Sequence, residues 1–340
     1  MEPRLTRLCE MLAGQFGDTF ALLGAKDSAK TRDDKPYFRV TFKDARRSAV
    51  AMIWADHGLF ADCEANWKVG AFYKLRCRYE EKAYGPQIDI DRLRQVIDAD
   101  QQQGFNSADF FATTRFNRDE MFAELLSIAE QNIVEMPLRR LVVEMLTENA
   151  EQIKQHSAAA QNHHAFIGGY LEHTLSVTRN AVFLANKYTA YYTDMQPPLS
   201  KSLVVAGAIL HDIGKLLELE LKPDGWGFTA AGRLVGHILI GRDMMRAKAA
   251  TIADLSLDTA LRLEHIIISH QNLPEWGSPI APHTPEALLV HFADDIDAKF
   301  HQVAVHYEAR WPAGTEFTNR QNVLKRSFFL GLNDEHSGET

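Results

Sequence analysis

Three cysteines in 340 residues, Cys9, Cys63 and Cys77, are too few and too irregularly spaced for a disulfide framework, and no Cys-x-x-Cys pair offers a thiolate zinc site. No stretch approaches the roughly 20 consecutive apolar residues that a membrane helix needs. The start, Met1-Glu-Pro-Arg, also lacks the basic-then-apolar pattern of an export signal, so a cytoplasmic address without membrane attachment is expected. There is no surplus of positive charge either. A net charge of −8 argues against a protein that coats nucleic acid non-specifically, although the local field of a groove decides binding and not the total. Internal repeats and low-complexity tracts are absent. What is present is an ordinary globular composition, 46% apolar and 24% charged, in a chain long enough for two domains.

After an amphipathic lead-in over residues 1–18, the first third reads as strands. Apolar residues alternate through Phe20–Leu23, Tyr37–Lys43, Ser48–Trp54, Gly70–Tyr79 and Gln87–Leu93, with turn residues between them and a short helix near Asp56–Glu64. Five strands with a helix between the third and fourth is the layout of an OB-fold barrel. OB-folds commonly hold single strands, with basic side chains on phosphates and aromatic rings on bases. The candidates for that work are Tyr37, Arg39, Trp54, Tyr73, Arg76 and Arg78, with Lys35, Lys74 and Tyr84 beside them. The plainer reading of the same aromatics is packing within the strands.

From Asp119 the apolar spacing becomes three to four, the period of helices. Helices are predicted over Leu171–Tyr188, Ser200–Leu217, Leu234–Ala249, Leu257–Ser269 and Pro285–Tyr307. The expected fold class is therefore α+β in several parts. An OB-fold barrel spans 1–98, a linker 99–118 ends in Phe105 and Phe110-Phe111, an all-α domain spans 119–312, and a tail runs over 313–340.

The helical part carries the chemistry. Ala206-Gly-Ala-Ile-Leu-His-Asp-Ile-Gly-Lys215 is an apolar run that delivers His211 and Asp212 side by side. A carboxylate in such a run is costly unless it is paired or metal-bound. Further imidazoles and acids follow at wide spacing in their own apolar segments: His173, His237, His270 and Asp294. His265 and His270 lie about 140° apart round a helix, so they do not face the same ion, and His270 at the helix end is preferred. Asp294 and Asp297 share a stripe that Asp295 does not, so one of these two is the ligand candidate and the other its hydrogen-bonding support. Lys215 would neutralise a phosphate oxygen as a point charge. His163 and His164 precede the Gly168-Gly169 break, where either could meet substrate or protonate a leaving group.

The order His…His-Asp…His…His…Asp resembles the HD-domain superfamily of metal-dependent phosphohydrolases. Together with Asn162-His-His-Ala-Phe-Ile-Gly-Gly-Tyr-Leu-Glu-His, Ile268-Ser-His-Gln, Trp276-Gly-Ser-Pro and Asp294-Asp-Ile-Asp-Ala-Lys behind an OB-like barrel, the chain resembles the YhaM-type 3′-to-5′ exoribonuclease family over roughly residues 19–310. The resemblance implies a divalent-metal enzyme, manganese-type by preference with Co, Fe, Mg or Zn as alternatives, holding one or two ions on His173, His211, Asp212, His237, His270 and Asp294. It implies Asp212 as a bridge between two ions, with Asp212, Lys215 and His164 as catalytic candidates. It also implies single-stranded RNA as the substrate shortened from the 3′ end; the resemblance leaves DNA as a further substrate, and a homo-oligomer, open. Gln271 departs from the family, standing where a second consecutive His is common. Two other readings fit the residues: a phosphodiesterase or nucleotidase for a small or cyclic nucleotide with a regulatory barrel, and a binding protein with a structural metal.

Overall fold

Alternation along the first third of the chain builds a closed barrel. The computed structural model describes residues 5–332 except 83–84, 161–163, 223–224, 309–310, 313, 321 and 323. The chain divides into two units, Met1–Ala112 with Leu221–Gly225 and Thr113–Glu220 with Trp226–Thr340.

In the first unit, strands β1 (Phe16–Lys30), β2 (Pro36–Lys43) and β3 (Ser48–Trp54) are followed by helix α1 (Phe60–Asn66) and strands β4 (Phe72–Lys82) and β5 (Gly85–Gln95). The barrel closes in the order β1-β2-β3-β5-β4, the order of an OB-fold. The long β1 serves two neighbours. Its first half pairs with β4, its second with β2, and the register slips between Leu23 and Ala25 where it turns from one to the other. Val40, Phe42, Ala51, Ile53, Leu75, Cys77 and Ile90 point inward, and α1 closes the core with Cys63 and Trp67. The lead-in also belongs to this core, since Leu8 and Met11 are buried in it.

The stretch expected as a linker folds onto the barrel as far as residue 112. Phe105 and Phe110 pack on Phe20 and Phe72 outside the strands. Asp100, fully buried, is held by Arg94 through two contacts of 2.7 and 2.6 Å and by the Ile97 amide at 2.9 Å.

The helices of the second unit are α2 (Arg118–Asn132), α3 (Met136–Glu148), α4 (Ala150–Gln155), α5 (Gly169–Tyr191), α6 (Lys201–Leu210), α7 (Lys215–Glu218), α8 (Ala230–Leu234), α9 (His237–Ala249), α10 (Leu257–Ser269) and α11 (Pro285–Glu308); between α7 and α8 the chain forms the short strands β6 (Leu219–Lys222) and β7 (Gly225–Phe228), of which residues 221–225 group with the first unit. Its core gathers apolar side chains of α2, α3, α5, α6, α10 and α11. Every residue of α6 from Ser202 to Leu210 is buried, as expected of a helix that is apolar on all sides. Caps begin several helices: the Asn117, Ser200 and Ser256 side chains each accept backbone N–H groups of the first turn.

The single helix expected over Ser200–Leu217 is broken. It ends at Leu210, His211–Gly214 turn, and α7 resumes at Lys215. The first turn of α9 crosses there so closely that a Cβ on Gly214 would lie 2.0 Å from the His237 carbonyl oxygen. The hairpin of β6 and β7, four residues a strand, is too short to show a period and was not foreseen.

Two outcomes are expected. Gly214→Ala should destabilise the protein by about 1–3 kcal/mol through overpacking, and the start of α9 with His237 should be displaced; thermal unfolding reads the first and the histidine resonances in NMR read the second. The Arg94 guanidinium first, and the Ile97 amide with it, overcome burial and hold the Asp100 carboxyl down to about 2. A depressed acid stabilises the fold above its unfolded value of about 3.9 and loses that contribution as pH falls through its folded value. Asp100→Asn should thus be less stable than the parent at pH 5, with the gap in urea midpoint closing between about pH 4 and pH 2.

Candidate metal centre

Five segments of the second unit bring their polar side chains to one place. His173 comes from the second turn of α5, His211 and Asp212 from the end of α6, His237 from the first residue of α9, His270 from the end of α10 and Asp294 from α11. The Asp212 carboxylate lies at the middle and faces two ways. Its Oδ2 is 3.4 Å from His173 Nε2 and 3.3 Å from His211 Nε2; its Oδ1 is 3.4 Å from His237 Nε2 and 3.6 Å from His270 Nε2. Asp294 Oδ1 completes the first side, 3.2 Å from His173 Nε2 and 3.8 Å from His211 Nε2.

The opposite nitrogen of every ring has an acceptor of its own. Nδ1 of His211 donates to the Ala208 carbonyl at 2.8 Å, that of His270 to the Ile267 carbonyl at 2.7 Å, that of His173 to Asp297 at 2.7 Å and that of His237 to Glu218 at 3.0 Å. With the proton on Nδ1, a neutral ring presents its Nε2 lone pair toward a carboxylate oxygen. Lone pair facing lone pair is repulsive unless a cation lies between them. His211 Nε2, His270 Nε2 and Asp212 Oδ1 are buried and have no hydrogen-bond partner among the described residues. Ligand bonds of about 2.0–2.2 Å set neighbouring donor atoms about 3 to 3.5 Å apart, close to the separations observed. The set therefore fits a divalent cation on each side of Asp212, one on His173, His211 and Asp294 and one on His237 and His270. Mixed imidazole and carboxylate donors suit several such ions.

Burial opposes charge on Asp212, but Lys215, His211 and His173 hold its carboxyl far below the usual range. Lys215 turns to Asp212. It is buried, with Nζ 2.6 Å from Asp212 Oδ2, and that carboxylate keeps the ammonium charged against the effect of burial.

His164 lies beside Asp297. It is buried, takes a left-handed backbone conformation at φ 50°, and stacks on His301 with ring centroids 3.8 Å apart. Its Nε2 lies 3.3 Å from Asp297 Oδ2, the carboxylate oxygen that also faces His173. His163 lies outside the described residues. His265 stays out of the cluster and accepts the His283 amide at 2.8 Å, and Asp295 turns to Lys299. Asp297 supports His173 as expected, and the Ser176 hydroxyl donates to its other oxygen. Gln271 also reaches the centre, 3.4 Å from His237 Nε2.

Sequence reasoning missed Glu218. Its Oε1 accepts both the backbone and the ring N–H of His237, at 2.9 and 3.0 Å. Nothing in the run Leu217-Glu-Leu-Glu-Leu distinguishes it.

On the barrel, Tyr37 and Trp54 are cross-strand partners on the outward face of β2 and β3, their rings 5.0 Å apart, and Arg39 is exposed next to Tyr37 on that face. Trp54 is 43% exposed. Tyr73 is a correction: its ring packs on Phe42 and Trp67 inside the barrel and its hydroxyl accepts the Lys68 amide at 2.7 Å, so it is not available to a strand. Arg76 is engaged by Asp18 at 2.7 and 3.0 Å, and Arg78 donates to the Gly14 carbonyl at 3.0 Å. Tyr84 lies outside the described residues.

Residues 170–299 match the family model for the HD domain. A second model, described as "Putative helicase", matches residues 102–224. No G-x-x-x-x-G-K-[ST] phosphate loop occurs in that stretch, Gly214-Lys215 being followed by Leu216. The chain is 29% identical over 324 residues to the 3′-5′ exoribonuclease YhaM of Bacillus subtilis (strain 168), a match that covers 93% of this chain and 95% of that one. Two solved structures of a replication protein A domain from Methanococcus maripaludis, one described as its second OB-fold domain, each cover 27% of this chain, and 96% and 95% of their own. They are 13% and 16% identical with TM-scores of 0.23 and 0.22, so the OB-fold rests on the strand order and not on them. Residues 170–299 are thus an HD domain, in a chain that resembles the YhaM-type family over nearly its full length, barrel and helical site together.

Proposed function

We propose that this protein is a divalent-metal-dependent exonuclease that hydrolyses single-stranded RNA from the 3′ end. The observation that carries the reading is the two-sided Asp212 carboxylate, each oxygen facing its own pair of imidazoles. When bound, a pair of divalent cations, manganese by preference, supplies an activated water and charge neutralisation at a phosphodiester. The chain's own residues prepare the place for them. His173, His211 and Asp294 form one face of the site, His237 and His270 the other, and Asp212 the wall they share. Asp297 and Glu218 hold the His173 and His237 rings in the tautomer that turns Nε2 inward. Lys215 balances the Asp212 charge and stands ready to shift toward a phosphate. On the barrel, Trp54 and Tyr37 offer a stacking surface and Arg39 a backbone contact, a pattern suited to strands of any sequence. The similarity to a 3′-5′ exoribonuclease supports the direction of attack.

Incubation of the manganese-loaded protein with a 5′-labelled oligonucleotide should give a ladder that shortens from the 3′ end, abolished by EDTA and lowered on the order of 10²–10³-fold or more by Asp212→Ala. Internal cuts, or turnover of mononucleotide and cyclic substrates alone, would overturn the reading. Asp297→Ala should weaken manganese binding by roughly 10- to 100-fold in calorimetric titration without removing a ligand; unchanged affinity would show that Asp297 does not position His173.

A further inference from the structure

The helical unit holds a second feature beside the metal centre, a cavity of about 450 Å³ whose wall includes Lys215, Glu218, Trp226, Phe228 and Arg233. Two of these belong to the centre itself. Lys215 Nζ lies on Asp212, and Glu218 fixes His237. A ligand in the cavity is therefore one side chain away from the shared carboxylate. Trp226 Nε1 is buried with no hydrogen-bond partner among the described residues, while its ring rests on His156 with centroids 4.7 Å apart. A buried indole N–H without an acceptor is destabilising unless something in the cavity completes it. Arg233 is exposed and forms no ion pair among the described residues. Its helix α8 is seated tightly: a Cβ on Gly232 would lie 2.2 Å from the Glu218 carbonyl oxygen, so Arg233 is carried on the same support as the metal centre.

The size falls in the range of roughly 300–1,000 Å³ usual for small-molecule sites. An aromatic wall, a buried indole N–H without a partner among the described residues and the Arg233 guanidinium do not suit an apolar ligand, which would leave the donor and the Arg233 charge unanswered; Lys215, paired with Asp212, stands beside them. They suit a flat heteroaromatic group joined to an anion. We propose that this cavity receives the terminal nucleotide of the strand, its base against Phe228 with an acceptor on Trp226 Nε1, and its phosphate toward Lys215 and Arg233. The assignment rests on the strand-cleaving reading above and adds the residues that grip the unit to be released.

Equilibrium dialysis of the full-length, manganese-loaded protein with labelled adenosine 5′-monophosphate tests it. One nucleotide per chain should bind, inorganic phosphate should compete at least tenfold less well, and Arg233→Ala should weaken binding by about tenfold. Trp226→Phe, which keeps a ring and removes the N–H, should weaken it several-fold. Absence of nucleotide binding, competition by phosphate equal to that by nucleotide, or wild-type affinity in both variants would overturn the assignment. The exonuclease reading fails separately. If no ladder forms but nucleotide binding depends on Arg233 and Trp226, the cavity stands as a site for a free nucleotide. If the ladder forms and both variants bind nucleotide as the parent does, the strand reading stands and the cavity assignment falls.

Discussion

A negative charge buried among helices is the constraint around which the second unit is arranged. Asp212 follows directly on a helix whose last nine residues are all buried, where an ionised carboxylate left alone would be strongly destabilising. Four imidazoles, one lysine and the neighbouring Asp294 surround it. Lys215 offsets part of the charge, but one ammonium cannot answer two carboxylates. Divalent cations would resolve the imbalance, and the inward-facing Nε2 atoms are the donors they would require.

The rings are aimed by a device used twice. His211 and His270 each stand at the C-terminal end of a helix and donate Nδ1–H to the carbonyl three residues earlier, Ala208 and Ile267. The last carbonyls of a helix lack intrahelical partners. The same hydrogen bond therefore completes the helix end, selects the tautomer and points Nε2 into the centre. His173 and His237 lie near helix starts, where no such carbonyl is available, and there the chain supplies the carboxylates of Asp297 and Glu218. Ligand orientation follows from whether the residue ends a helix or begins one.

This rule explains how much of the site could be read beforehand. The ligands themselves are recoverable from residue type and order, because a His or Asp in an apolar helical run needs a reason to be there. Asp297 is recoverable from its helical stripe with Asp294. Glu218 is not, since its role depends on α7 being folded back against α9, a packing event that leaves no mark near residue 218. On the barrel, alternation already contained the answer for Tyr73: with Leu75 and Cys77 facing inward along β4, Tyr73 must face inward too. Arg76 and Arg78 have the outward phase, yet their engagement by Asp18 and by the Gly14 carbonyl depends on pairing with β1 and on the turn before it.

Close backbone approach is what converts scattered ligands into one site. Donor atoms on different helices can come within 4 Å only if the helices meet without intervening side chains. At Gly207 a Cβ would lie 2.5 Å from Ile266 Cγ2, so α6 and α10 meet there and bring the ends bearing His211 and His270 together. At Gly214 the turn after α6 meets the start of α9 and brings His237 to Asp212. Both glycines lie within five residues of the ligands they help to place. A larger residue at either point would push a helix away by more than the tolerance of a coordination bond while leaving most of the apolar core in contact. Such a change would be felt in metal binding before it was felt in the fold, which is why the glycines of Gly207-Ala-Ile-Leu-His-Asp-Ile-Gly214 belong to the chemistry of the centre as much as its histidine and aspartate do.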